Sequence, residues 1–209
     1  MRQLTPAIID AQLLAKLHAK SAEKQRNMWA YTRGHARSFK DAITTQMVII
    51  QHRRCAYCGG KLPGDELTRD HIAPKEHHPE FTFFPENLVL ACTYCNTECK
   101  KATDTITVKQ AVYANCTFLI IHPHFDNPDN HITMVGGTDK ILIKVVNGSA
   151  KGRETVRMFR LASPERTKRR AEDAATAKDQ NDIAHLPGRW REGFEWVQNS
   201  KLGIKFRVV

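Results

Sequence analysis

The sequence predicts an α+β fold: a small cysteine-rich centre of two strands and a helix, flanked by N-terminal helices and by a C-terminal strand-hairpin and helix region. Three observations predict it. Two C-x2-C pairs, Cys55/Cys58 and Cys92/Cys95, bracket the runs "ELTRDHIAP" and "PENLVLAC", which read as an outgoing and a returning strand. Apolar residues at helical spacing precede the first pair. Short β-branched runs separated by Gly, Asp and Asn follow the second, and a Lys/Arg-rich stretch of helix formers comes after them.

In "LTPAIIDAQLLAKLHAK", Thr5 stands as a helix N-cap and Pro6 at the first helical position, with Ile8, Ala11, Leu14 and Leu17 forming one apolar face. Residues 21–34 are polar, and Trp29 and Tyr31 mark something to pack. A second helix is expected from about Arg37 to His52, ending against the first cysteine pair. From Thr93, "TYCNTECKKA" continues as a helix that puts Asn96 and Lys100 on one face. Strands follow in "CTFLIIHP", "HITMVGG" and "KILIKVVNG", the last two joined as a hairpin across "GGTD". Residues from about Gly152 to Asp179 are helical, broken near Pro164. The tail "RWREGFEWVQNSKLGIKFRVV" carries two of the three Trp and is expected to dock. This divides the chain into a helical region (1–51), a cysteine-rich core (52–105) and an α+β extension (106–209), together one compact domain.

With 209 residues, 41% of them hydrophobic, the chain can bury a core. No run of about 18 apolar residues occurs, and the start "MRQLTPAIIDAQLLAK" lacks a small-residue cleavage site after an apolar stretch. Neither a membrane partner nor secretion is expected, and the location read from this is cytoplasmic. Lys and Arg outnumber Asp and Glu by 32 to 22, for a formal charge of +10 spread over residues 16–54 and 144–170. Such a surface suits nucleic acid, although on charge alone a solvated basic face is the better account.

The two C-x2-C pairs are separated by a gap of 33 residues, the arrangement by which Zn²⁺ collects thiolates from two tight turns. Cys55, Cys58, Cys92 and Cys95 fill a tetrahedral shell, so this zinc is structural and chemistry must lie elsewhere. A disulfide or redox pair is the weaker account of two matched spacings. The strands bring Asp70 and His71 up to Asn96. A carboxylate and an amide oxygen are hard ligands, suited to a Mg²⁺ or Mn²⁺ that keeps most of its waters and binds phosphate oxygens. A neighbouring histidine can take the proton from an attacking water.

These residues, "C-x2-C … DH … N … C-x2-CN … K" over about 52–105, resemble the HNH endonuclease motif on the ββα-metal fold, in its four-cysteine form. The resemblance implies that His71 is the general base and that Asp70 and Asn96 hold the catalytic divalent ion. It also implies that Asn87 braces the loop that positions the base. The family's lysine three residues after that last Asn is displaced: Cys99 stands there, followed by Lys100 and Lys101. More weakly, "DHIAPKEHHPEFTFFPENL" followed by "IIHPHFDNPDNHI" resembles the PtuB-type HNH subunit of Septu and retron anti-phage systems. That implies a PtuA-like ABC-type ATPase as partner, within a retron complex in some systems.

The remaining candidates are weighed toward plainer roles. His77 and His78 read as a solvated loop. His122, His124 and His131, with Asp126 and Asp129, read as a structural turn rather than a second metal site. Cys99 and Cys116 read as core residues, "RTKRR" as phosphate grip or solvated face in equal measure, and Trp29, Trp190 and Trp196 as packing or partner contacts. The sequence thus predicts a divalent-metal-dependent phosphodiester hydrolase acting on nucleic acid, with DNA favoured over RNA although the same residues serve either. The competing account is a zinc-knuckle binding module without catalysis, which leaves Asp70, His71, Asn87 and Asn96 without a reason to be present together.

Overall fold

The computed structural model describes residues 1–136 and 141–184. Three helices come first: α1 (Ala11–His18), α2 (Ala22–Met28) and α3 (Gly34–Ile50). The expected helix start at Thr5–Pro6 is corrected: Asp10 is the N-cap of α1, its carboxylate accepting from Leu13 N at 2.8 Å. Residues 1–10 are instead pinned by distant partners. Leu4 N donates to Pro123 O, and the Gln46 side chain both accepts from Ile8 N and donates to Ile8 O. Leu4, Ala7 and Ile9 are buried by this, as are Ala36, Phe39, Ile43 and Met47 along the inner face of α3.

The first cysteine pair sits on a tight turn in which Cys55 N donates to Gly60 O and Gly59 N to Cys55 O. Gly59 has φ +71°, a conformation that side chains with a Cβ disfavour, so the "CGG" glycine is required there. Strands β1 (Leu67–His71) and β2 (Leu88–Cys92) then pair antiparallel, with Asp70 opposite Val89 and His71 opposite Leu88. The helix that follows is a π-helix, Tyr94–Lys100.

Of the expected strand "CTFLIIHP" only Thr117–Phe118 (β4) forms, against β3 (Ile106–Val108). The run ends early because the next backbone donors go elsewhere: Leu119 N to Thr105 O, and Ile121 N to the Thr155 hydroxyl. The hairpin of β5 (Ile132–Val135) and β6 (Leu142–Val145) is present as expected; turn residues 137–140 lie outside the described residues. Helices α4 (Ala150–Met158) and α5 (Pro164–Ala184) are separated as Pro164 requires, with Pro164 opening α5. The Trp-bearing tail lies outside the described residues.

One apolar cluster joins Leu17 of α1, Phe39, Ile43 and Met47 of α3, Tyr57, β2, Ile120, and the Phe159–Leu161 corner after α4. The strand pair is therefore covered by elements from both ends of the chain, and β2 is buried throughout. Within α1, Leu17 is fully buried in this cluster, with Leu13 and Leu14 partly buried against it. No helix among the described residues is long and apolar enough to cross a membrane.

Candidate active site and metal centre

The turn at residues 55–60, the end of β2 and the first turn of the π-helix deliver four cysteines to one point. The Sγ atoms of Cys55, Cys58, Cys92 and Cys95 all lie within 4.8 Å of one another, and Cys58 and Cys92 are 4.0 Å apart. Zn–S bonds of about 2.3 Å arranged tetrahedrally place sulfurs about 3.8 Å apart. The cluster is thus compatible with zinc in both donor type and spacing. None of the six cysteines is in a disulfide. Cys116 is buried and Cys99 half-buried, outside the cluster.

At the far end of β1, the His71 ring is buried and Nε2 lies 3.0 Å from Thr82 O. A carbonyl only accepts, so Nε2 carries the proton and Nδ1 presents a lone pair. Burial is the main cause that lowers the His71 pKa to about 3, which keeps the imidazole neutral near pH 7. Trp29, at the end of α2, packs edge-on against the same ring with centroids 4.3 Å apart. Lys40 fixes Trp29 from below by donating to the carbonyls of Trp29 and Tyr31.

Asn87 is fully buried and touches no open space. Its amide nitrogen donates to Ala73 O and Phe81 O, both at 3.0 Å, and its oxygen accepts from Ala73 N at 2.7 Å. It thereby ties together the two ends of the loop that leads to Thr82, the residue that orients His71. Tyr113 donates its hydroxyl to the same Asn87 oxygen at 2.8 Å and lies 3.1 Å from His122 Nε2. His122 and His124 are buried in backbone and Tyr113 contacts, as the turn reading expects. His77 is exposed as expected, but His78 is buried and bonded to Asp104 at 2.8 Å, a partner 26 residues away that the solvated-loop reading had no means to supply.

Asp70 is buried with both oxygens engaged: Oδ2 accepts from the Tyr57 hydroxyl at 2.5 Å and Oδ1 from Lys100 Nζ at 3.1 Å. Burial raises the Asp70 pKa, and Lys100 and Tyr57 pull it back. Asn96 donates its amide nitrogen to the Thr68 hydroxyl at 3.0 Å and toward Arg69 O, which leaves its oxygen as the uncommitted atom. The displaced lysine has a structural answer. A π-helix accommodates one more residue per turn than an α-helix, and Lys101 N closes it on Asn96 O, five residues back. This wide turn brings Lys100 to Asp70, where it is 1% exposed, instead of pointing it at solvent.

Asp70, His71 and Asn96 line one cavity of about 270 Å³, together with Trp29, Lys100 and a cationic rim of Arg69, Lys75 and Lys101. Hard oxygen donors, a neutral imidazole and surplus positive charge on one wall suit a divalent ion with a bound phosphate. The structure thus brings together Asp70, His71 and Asn96 and sets Asn87 behind them. Sequence reasoning missed Tyr57 and Tyr113 and assigned Trp29 only to packing or partner contacts. No spacing rule links these to the cysteine segment, though an aromatic in the "CAYC" turn is a local signal for Tyr57.

Two paired strands and a helix thus close on four cysteines, with an Asp-His pair at the strand end. Residues 55–101 match the family described as HNH endonuclease, a span that takes in all four cysteines, Asp70, His71, Asn87 and Asn96. Over 61 residues the chain is 36% identical to Protein ea31 of Escherichia phage lambda, a stretch amounting to 29% of this chain and 19% of that protein. The chain thus spans about a fifth of the length of this curated relative.

Proposed function

We propose that the protein is a divalent-metal-dependent HNH endonuclease hydrolysing phosphodiester bonds in nucleic acid, DNA ahead of RNA. The observation that carries this reading is the single cavity lined by Asp70, Asn96 and a neutral His71 whose Nε2–H is fixed on Thr82. Asp70 and Asn96 would hold Mg²⁺ or Mn²⁺, which when bound polarises a phosphate oxygen and stabilises the charge that develops on it. His71 Nδ1 takes the proton of the attacking water. Arg69, Lys75 and Lys101 hold the phosphate at the rim, and Asn87 acts as a positioning residue through the loop it closes. Cys55, Cys58, Cys92 and Cys95 hold one structural zinc.

One observation favours the second reading, a zinc-knuckle binding subunit without catalysis: Lys100 already satisfies Asp70 with a cation. Divalent-ion titration separates the two. In the nuclease reading, plasmid cleavage requires Mg²⁺ or Mn²⁺, and Asp70→Asn or Asn96→Ala shifts the requirement to roughly tenfold or more higher metal, partly restored by excess Mn²⁺. Asn is the better replacement at position 70, because its amide oxygen still accepts from the buried Lys100 ammonium, whereas Ala removes that acceptor along with the charge. A wild-type protein that cuts no plasmid, single-stranded DNA or RNA at any metal concentration supports the binding module.

We further propose that it serves as the nuclease subunit of a PtuAB-type anti-phage complex with an ABC-type ATPase, within a retron in some systems. Support comes from the two segments that carry the resemblance, which meet through Tyr113, a residue outside both: its ring packs on Phe81 of the first and on His122 and Phe125 of the second. Tagged protein is expected to co-purify with the product of a neighbouring ATPase gene; a lone monomer on a sizing column, with that ATPase co-expressed, overturns the partnership.

A further inference from the structure

Helix α5 poses a problem that its sequence does not solve. "PERTKRRAEDAATAKDQNDIA" has no apolar stripe, and a helix that is polar all round has no hydrophobic face to dock with. Its visible ion pairs to the cysteine-rich core, Arg54 with Asp173 and Arg169 with Glu66, are 3.7 and 3.8 Å long and largely solvent-exposed, so they contribute little. Yet the first turn of α5 lies directly on the metal centre. Arg166 is 7% exposed, its Nη2 3.3 Å from Cys95 Sγ and 4.0 Å from Cys92 Sγ, its Nη1 3.5 Å from Cys58 Sγ. The guanidinium also lies 4.4 Å over the ring of Tyr94, the residue just before Cys95.

Four thiolates around one divalent ion leave an excess of negative charge in a site largely sealed from water, and such charge needs a partner. A guanidinium is suited to it, because its planar fork directs several N–H donors at separate acceptors at once. We propose that Arg166 is a positioning residue of the zinc centre, its guanidinium bonding three of the four thiolates, so that zinc retention and the docking of α5 depend on each other. This rests on the structural-zinc reading above. It places the C-terminal extension, outside the matched residues 55–101, in the upkeep of the nuclease core.

The test measures zinc transfer from the full chain to a coloured chelator for wild type, Arg166→Ala, Arg166→Lys and Arg169→Ala. Loss of an outer partner to metal ligands typically costs 10- to 100-fold in affinity. Arg166→Ala is therefore expected to release zinc 10- to 100-fold more readily. Arg166→Lys falls between it and wild type, because an ammonium keeps the charge but not the fork. Arg169→Ala, whose side chain bonds Lys61 O and not sulfur, matches wild type. In Arg166→Ala, amide exchange across residues 164–176 is also expected to quicken. Wild-type zinc transfer in a folded Arg166→Ala overturns the proposal, as does an equal loss in Arg169→Ala. If Arg166→Ala does not fold, Arg166→Lys decides by the same criterion, and transfer equal to wild type overturns it. Wild-type protein purified without zinc overturns the structural-zinc reading and this inference with it, whereas zinc held independently of Arg166 overturns this inference alone.

Discussion

Replacing His71 with alanine is expected to lower phosphodiester cleavage about 10²- to 10⁴-fold while leaving zinc in place, because a general base acts on water only in the transition state. The loop around the side chain is closed without it: among the described residues the ring bonds only Thr82 O and packs on Trp29, while Asn87 ties Ala73 to Phe81. Initial rates on plasmid, single-stranded DNA and RNA at saturating Mg²⁺, with zinc content measured on the same samples, check this. Wild-type rates on all three substrates reject the assignment. The pH profile adds a signed expectation. A solvated histidine base is lost to protonation as pH falls through about 6.5. Burial lowers the His71 pKa to about 3, so this base stays neutral well below that point, and cleavage does not fall on its account between pH 7 and pH 5.

Cys92→Ser is expected to cost the protein its zinc and to unfold the central segment. Cys92 is almost fully buried at the end of β2, paired across the hairpin with Leu67, and the next residues enter the π-helix that carries Asn96 and Lys100. Structural zinc supplies about 10–16 kcal/mol of apparent folding energy to small zinc-finger peptides, against a total stability of about 5–15 kcal/mol for an ordinary domain. Losing one of four thiolates therefore removes more than the molecule can spare. Metal analysis and a thermal melt followed by circular dichroism check it, with one zinc per wild-type chain expected. A variant that melts with the wild type means the four cysteines are not a structural metal site.

What could be read from the chain alone was whatever its chemistry writes into local spacing. Two C-x2-C turns specify a four-sulfur cluster because two-residue gaps suit a tight turn. "RDHIAP" and "NLVLAC" specify the strand pair that carries Asp70 and His71, and Pro164 specifies the break between α4 and α5. The helix start was misread for the same reason: Thr5–Pro6 is a valid local signal, overridden by Leu4 bonding Pro123 and by Gln46 clasping Ile8.

Only the tertiary structure decided how the site is finished. Lys100 reaches Asp70 because a π-helix absorbs the extra residue after Asn96, a change of helical pitch that composition does not announce. Tyr57 on Asp70, Trp29 on His71, Tyr113 on Asn87 and Arg166 on the cysteines are partners 13, 42, 26 and 71–108 residues apart. Contacts of that length follow from packing, which has no period in sequence. The chain therefore declared the four cysteines and the Asp70–His71 pair, and folding chose the side chains that surround them.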